Sequence, residues 1–210
     1  MRLMNRRLVL AAAAALSLAG CNKGGGSAAN DQDMTLGSPT AKVTVVEYAS
    51  VACPHCARFN NSVFPDFKKK YIDTGKVKYV AREALTGSAP VAAAGFLLAR
   101  CAGKDKYFEV TDAIYRNQEQ MFQSGDVRGT LLRIAQSAGM SEDQFNKCIT
   151  DEEGIKALND RVQRHAEGDK VESTPTFEVN GKRLPDLDHE IVLADLDAAV
   201  QPLLKPHRRR

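Results

Sequence analysis

The stretch Val43-Thr44-Val45-Val46-Glu47-Tyr48-Ala49-Ser50-Val51-Ala52-Cys53-Pro54-His55-Cys56 decides how the chain is read. Its first half, Val43 to Ala49, is an almost continuous run of β-branched and apolar residues, the pattern of a strand buried on both faces of a sheet. After a brief turn at Ser50 to Ala52, a helix is expected to begin at Cys53-Pro54. Proline is tolerated there because a first-turn N–H has no intrahelical partner to lose. Phe59, Val63 and Phe67 recur at helical spacing and give this helix a core face, with a kink expected at Pro65. Lys76 to Ala84, following Gly75, reads as a second strand. Strand, helix and strand in this order favour a right-handed crossover and parallel pairing.

Further along, Ser88 to Gly168 is helical in character, with breaks near Gly103, Ser124-Gly125, Gly139-Met140-Ser141 and Thr150 to Glu153. Four or five helices fit. Ser141-Glu142-Asp143-Gln144 has the capping-box pattern, in which the serine oxygen and the glutamine side chain satisfy free backbone groups at a helix start. Strand character returns at Thr174 to Val179, followed by Asn180-Gly181, a strong two-residue hairpin turn, and Lys182 to Leu184. A closing amphipathic helix is expected from about Asp188 to Leu204, burying Ile191, Leu193, Leu196, Val200 and Leu203. No internal repeat is visible.

On the other side of the opening stretch, Arg6 and Arg7 precede an apolar run, Leu8 to Leu18, that is short for a membrane span and ends in the small residues Ala19 and Gly20. This is the pattern of a secretory signal, so export is expected. Asn22 to Asp33, with Gly24-Gly25-Gly26-Ser27 inside it, is polar and without periodicity, and reads as a flexible tether within residues 21–35. The 210 residues suit one domain, or one domain carrying an insertion. The formal charge of +3 owes three positive charges to Arg2, Arg6 and Arg7, so a chain cut after Gly20 is near neutral. The basicity therefore gives no sign of nucleic acid. Arg208, Arg209 and Arg210 could touch phosphate or anionic lipid, but they read better as a frayed, solvated tail.

Cys53-Pro54-His55-Cys56 at the head of the first helix, and Thr174-Pro175 before the hairpin, make a specific resemblance. The chain resembles the DsbA-like branch of the thioredoxin superfamily: an α/β thioredoxin fold with an inserted α-helical domain. The resemblance covers Leu36 to Leu204, and the domain is expected over 36–205 with its insertion at about 88–168. It implies a cis bond at Pro175, lying against the active-site cysteines. It also implies a proton-handling role for Glu47, which matches the buried acid that the family places beneath the pair. Likewise Leu18-Ala19-Gly20-Cys21 resembles the lipobox of bacterial lipoproteins, which makes Cys21 the lipidated mature N-terminus; an ordinary signal with a chance cysteine is the alternative. Two or three acyl chains would anchor the protein stably to a membrane of the bacterial envelope, on its extracytoplasmic or periplasmic side.

The chemistry follows from the residues themselves. A thiolate, not a thiol, attacks a disulfide, so a working cysteine must hold negative charge near neutral pH. Cys53 at a helix N-terminus gains that help from free N–H groups and the helix dipole, and His55, when protonated, adds positive charge. Two-residue spacing brings Cys56 within disulfide reach as the resolving and more buried thiol. A lowered thiol pKa makes the disulfide a strong oxidant. Plainer readings stand beside these: half of a zinc site for the CxxC, a solvated His55, an ordinary turn at Thr174-Pro175, and a salt-bridged strand-end acid for Glu47. Cys101 and Cys148, both on expected helices, form a candidate structural disulfide in an oxidising compartment, or two buried inert thiols.

Pro-His between the cysteines is the pairing of the oxidising members of the family. The resemblance therefore implies a monomeric oxidase donating disulfides to unfolded or partly oxidised exported proteins, reoxidised by a membrane partner or a small-molecule oxidant, and without a cofactor. Thr174 would offer backbone groups to the client chain in the manner of β-addition. An isomerase or reductase is the alternative within the same chemistry. In a different class lies an envelope module binding copper(I) through Cys53, His55 and Cys56.

Overall fold

The computed structural model describes residues 32–185 and 189–205. Five strands form one mixed sheet in the order β1-β3-β2-β4-β5. At its centre lies β2 (Val43–Ala49), parallel to β3 (Val77–Glu83), with Val45 opposite Tyr79 and Glu47 opposite Ala81. On its other side β2 pairs antiparallel with β4 (Thr176–Val179), which turns through Asn180-Gly181 into β5 (Lys182–Arg183). Both turn residues have positive φ, 48° and 77°, as a tight two-residue hairpin turn requires. Flanked on both edges and covered on both faces, β2 has the continuous apolar pattern of a central strand.

Helix α1 (Pro54–Ser62) starts where expected, but it does not run on through a kink. It ends at Val63, and a separate short helix α2 (Phe64–Phe67) begins with Pro65 in its first turn, followed by a π-helical turn over Lys68–Ile72. Pro65 has no N–H to give the carbonyl one turn back, so a break is cheaper than a bent continuous helix. Phe59 and Phe67 still face inward and pack with Val45, Phe177, Leu196 and Val200 on one side of the sheet.

Between β3 and β4 lie five helices: α3 (Ala89–Cys101), α4 (Tyr107–Ser124), α5 (Val127–Ser137), α6 (Glu142–Ile149) and α7 (Glu152–Gly168). They pack around Phe96, Leu98, Ile114, Leu131, Phe145 and Leu158 in one core that extends to Val51, Cys53 and Cys56. The capping box at Ser141 and Gln144 is formed in both directions. Cys101 of α3 and Cys148 of α6 are joined by a disulfide. A buried ionic cluster ties this helical unit to the sheet: Glu83 at the end of β3 accepts from Arg100 of α3 and Arg161 of α7.

Two expectations about element limits need correction. The stretch read as tether ends in ordered structure: β1 (Met34–Leu36) pairs antiparallel with β3, and Asp33 is buried in an ion pair with Arg82. A buried guanidinium needs such a partner, and that need draws Asp33 into the fold although its local sequence is polar. Helix α8 (Leu193–Leu204) starts about a turn later than expected, where the Asp195 carboxylate accepts the Val192 N–H. Its buried stripe runs Leu196, Val200 and on to Leu204, so Leu203 is turned outward and 44% exposed. Ile191 precedes the helix and is half-buried. Cys21, the signal-like segment, Asp188 and the terminal arginines lie outside the described residues.

Candidate active site

The site sits where the carboxyl end of β2 delivers the chain to the head of α1. Ser50 stops the strand: its hydroxyl donates to the Thr86 carbonyl and accepts from the Ala52 N–H, bending the chain into the turn before Cys53. Cys53 is the N-cap residue of α1 in extended conformation, with Pro54 opening the first turn. Its sulfur therefore lies at the free N–H groups of the helix. Cys53 and Cys56 are both free thiols and both buried, at 6% and 0% exposure, so Cys56 is the more enclosed.

The two sulfurs are unequal because their surroundings are. The Cys53 thiol is pushed down to about 5, chiefly by a hydrogen bond from the Cys56 thiol; burial opposes this, and Thr174 and the backbone N–H groups of Cys56 and His55 add to it. The Cys56 thiol goes the other way, well above its ordinary value, through burial first, then through its hydrogen bond to Cys53 and the charges of Glu47 and Cys53. One sulfur is held as thiolate and the other as thiol, the division of labour that attack and resolution require.

Glu47 lies on the same face of β2 as Val43 and Val45, by the two-residue alternation of a strand, and that face is covered by α1. Its carboxylate is fully buried and accepts the Tyr79 hydroxyl. Burial pushes its pKa up to about 7; the Tyr79 hydrogen bond opposes the rise and the charge of Cys53 adds to it. A buried acid poised near neutrality, electrostatically linked to Cys56, can take or give a proton there.

Across from the cysteines the Thr174–Pro175 peptide bond is cis. The Thr174 carbonyl oxygen lies 3.3 Å from Cys53 Sγ, and the Thr174 hydroxyl pairs with that of Thr86 at 2.5 Å. Thr174 and Pro175 form part of the wall of an open groove of about 840 Å³ with Phe59, Val63, Ile191 and Val192 along it. His55 stands at its rim, its side chain 58% exposed, with Nδ1 3.1 Å from Glu190 and 2.8 Å from Arg58 Nη2. Cys53, Pro54, His55, Cys56, Thr174, Pro175 and Glu47 are thus brought together, while Cys101 and Cys148 lie apart in the helical unit.

Sequence reasoning missed four contributors. Gln118, buried in α4, donates to the carbonyls of Val51 and Cys53 and holds the turn before the helix. Its signal was an amide on the apolar row Ile114–Gln118–Met121. Tyr79, Arg58 and Glu190 carried no local signal, because each matters through a partner distant in the chain.

Taken together, a CxxC pair at the head of the first helix, a cis-proline loop facing it and a helical unit inserted into the sheet define a thioredoxin-fold thiol protein. The sequence matches the thioredoxin family over residues 29–201, and the chain belongs to that family, in its DsbA-like branch. A Rickettsia bellii protein named "Putative protein-disulfide oxidoreductase" is 34% identical over 173 residues, or 82% of this chain. The chain spans 66% of that relative's length and 62–63% of the length of four further Rickettsia relatives of the same kind. The crystal structure of Wolbachia pipientis alpha-DsbA1 is 26% identical with a TM-score of 0.74, covering 84% of this chain and 92% of that one. BdbD of Bacillus subtilis, 22% identical with a TM-score of 0.71 over 83% and 94% of the two chains, shares the fold. Neither these relatives nor the turning of His55 toward Glu190 supports the copper(I) reading.

Proposed function

We propose that the protein is a thiol:disulfide oxidoreductase that introduces disulfides into exported, unfolded proteins through the Cys53–Cys56 pair. The observation that carries this reading is the asymmetry of the two sulfurs: Cys53 is held as thiolate at about 5 while Cys56 stays protonated. A stabilised Cys53 thiolate favours the reduced form of the pair, so the disulfide form tends to pass its bond on. Pro-His between the cysteines agrees with oxidation rather than isomerisation or reduction.

In the oxidised form a client thiolate attacks Cys53 Sγ, the Cys53–Cys56 bond breaks, and Cys56 leaves. Its high pKa makes it a poor thiolate, and Glu47, near half-protonation at neutral pH, supplies the proton. A second client thiolate then attacks the client sulfur of the mixed disulfide. Cys53 departs as the thiolate that its surroundings stabilise, and a low-pKa leaving group leaves faster. The client loses two electrons and two protons, the pair gains two electrons, and an external oxidant restores it. The groove beside Thr174-Pro175 would take the client chain in extended form, with the Thr174 backbone pairing with it.

Export through the segment ending at Gly20, and anchoring through a lipidated Cys21, complete the proposal: a tethered oxidase on the extracytoplasmic side of a bacterial membrane. Among the described residues no helix is long and apolar enough to cross a membrane. The direct test supplies the oxidised protein in stoichiometric amount to a reduced, unfolded secreted protein and follows client thiols by alkylation and mass. Loss of client thiols, abolished by Cys53→Ala, is expected. Failure to oxidise this client, with the reduced protein instead reducing the disulfides of the same client in its native form, would make the protein a reductase.

A further inference from the structure

We propose that Arg58 and Glu190 form a displaceable ionic clasp in the wall of the groove, and that Arg58 thereby favours client segments carrying a carboxylate within a few residues of the reacting cysteine. This rests on the oxidoreductase reading above and names the substrate chemistry that the same site prefers.

The groove is lined by apolar residues such as Phe59, Val63 and Ile191 together with polar ones, and His55, Arg58 and Glu190 bring ionisable groups to its wall. Arg58 stands on α1, and Glu190 on the segment leading into α8; they are 132 residues apart in sequence, yet Arg58 Nε and Nη2 both reach the same Glu190 oxygen. A client chain entering toward Cys53 meets this pair. Arg58 follows Cys53 by five residues, about 7.5 Å along the helix axis, and, after Glu190, the charge of Cys53 helps to hold its guanidinium protonated. Client side chains within a few residues of the reacting cysteine, about 3.3 Å apart along an extended chain, are the ones within reach of Arg58.

Both partners of the clasp are half-exposed, at 50% and 51%, so the pair is screened and weak. A client carboxylate can replace Glu190 on Arg58 at small cost, and the planar guanidinium fork suits it. A client lysine meets Arg58 itself and, when protonated, His55. It gains only Glu190, which first has to leave Arg58. Glu190 stays ionised at neutral pH because Arg58 holds its carboxyl below the ordinary range, so it competes with acidic clients throughout.

The test uses the oxidised protein and three reduced dithiol peptides identical except for Asp, Asn or Lys two residues from each cysteine. Each peptide loses two thiols to form its disulfide while the Cys53–Cys56 bond is reduced, read by acid quench and alkylation of Cys53. Ratios between peptides cancel any change in Cys53 reactivity common to all three. Wild type should oxidise the Asp peptide about two- to fivefold faster than the Lys peptide, the range exposed charge pairs give. Molar salt should suppress that ratio. Arg58→Gln should bring it to one or below, since Glu190 is then free to meet lysine, and Glu190→Gln should widen the Asp-to-Asn ratio by removing the competitor. An Asp-to-Lys ratio unchanged in Arg58→Gln, or an Asp-to-Asn ratio unchanged in Glu190→Gln, overturns the clasp while leaving the oxidoreductase reading intact. An Asn peptide that wild type does not oxidise at all overturns that reading itself.

Discussion

Replacing Glu47 by glutamine should change how stability depends on pH, and by an amount the structure fixes. Glu47 is fully buried and its pKa is pushed up to about 7 from an ordinary 4.5, chiefly by burial. A raised folded-state pKa means that the native protein binds the proton more tightly than the unfolded chain does. Its stabilising effect is complete below pH 4.5 and is lost as pH rises through 7, a loss of about 3 kcal/mol at roughly 1.4 kcal/mol per pH unit. Glutamine still accepts the Tyr79 hydroxyl but does not titrate. Its amide hydrogens add a burial cost, which is independent of pH. Urea unfolding of both proteins from pH 4 to 9, with Cys53 and Cys56 kept reduced as in the state that sets this pKa, isolates the effect, since the remaining groups titrate nearly alike in both. Relative to wild type, Glu47→Gln should gain about 3 kcal/mol between pH 4 and pH 8. A stability difference flat to within about 1 kcal/mol over that range would refute the assignment of a buried, neutral-range acid at this position.

The Cys53 thiolate, followed by its absorbance at 240 nm in the reduced protein, should titrate near pH 5 and not near 9. Because this folded pKa is depressed, the stability that it lends the reduced form is present above pH 9 and lost as pH falls toward 5; a midpoint above 8 would contradict the proposed environment. Replacing both Cys101 and Cys148 by alanine opens a loop of 47 residues and should cost about 4 kcal/mol in the chain-entropy treatment. The reduction potential of the Cys53–Cys56 pair should hardly move if the disulfide only braces the helices; a large shift would show that it acts on the pair through the core they share. Gly87 has φ +73°, and a Cβ there would lie 2.5 Å from the Ala52 carbonyl oxygen, next to the active-site turn. Gly87→Ala should therefore destabilise the fold by about 1–3 kcal/mol in thermal or urea unfolding; a neutral result would mean that the turn yields more easily than its packing implies.

Much of this arrangement was legible because local pattern and tertiary position agree. Val43–Ala49 is the central strand over the residues its apolar run marks, and Cys53-Pro54 starts α1 for the reason proline chemistry gives. The breaks near Gly103, Gly125 and Gly139 fall between helices, and each of those glycines has positive φ. The illegible parts depend on distant partners. Strand β1 is three residues in a polar setting, held by β3 and by the Asp33–Arg82 pair. The start of α8 is set by one carboxylate accepting one N–H, not by hydrophobic periodicity. In the site, the CxxC pair, Glu47 and Thr174-Pro175 stood out by residue type. Gln118 acts through two hydrogen bonds to the turn and Tyr79 through one to Glu47. Arg58 and Glu190 meet across 132 residues, where no window of sequence brings them together.

The equilibrium reduction potential of the Cys53–Cys56 pair against glutathione, with Cys101–Cys148 intact, tests the central claim most directly. Stabilisation of the Cys53 thiolate predicts a potential well to the oxidising side of thioredoxin's, which lies at about −270 mV. A value at or below thioredoxin's would contradict the oxidase, and would make reduction the working direction of this pair.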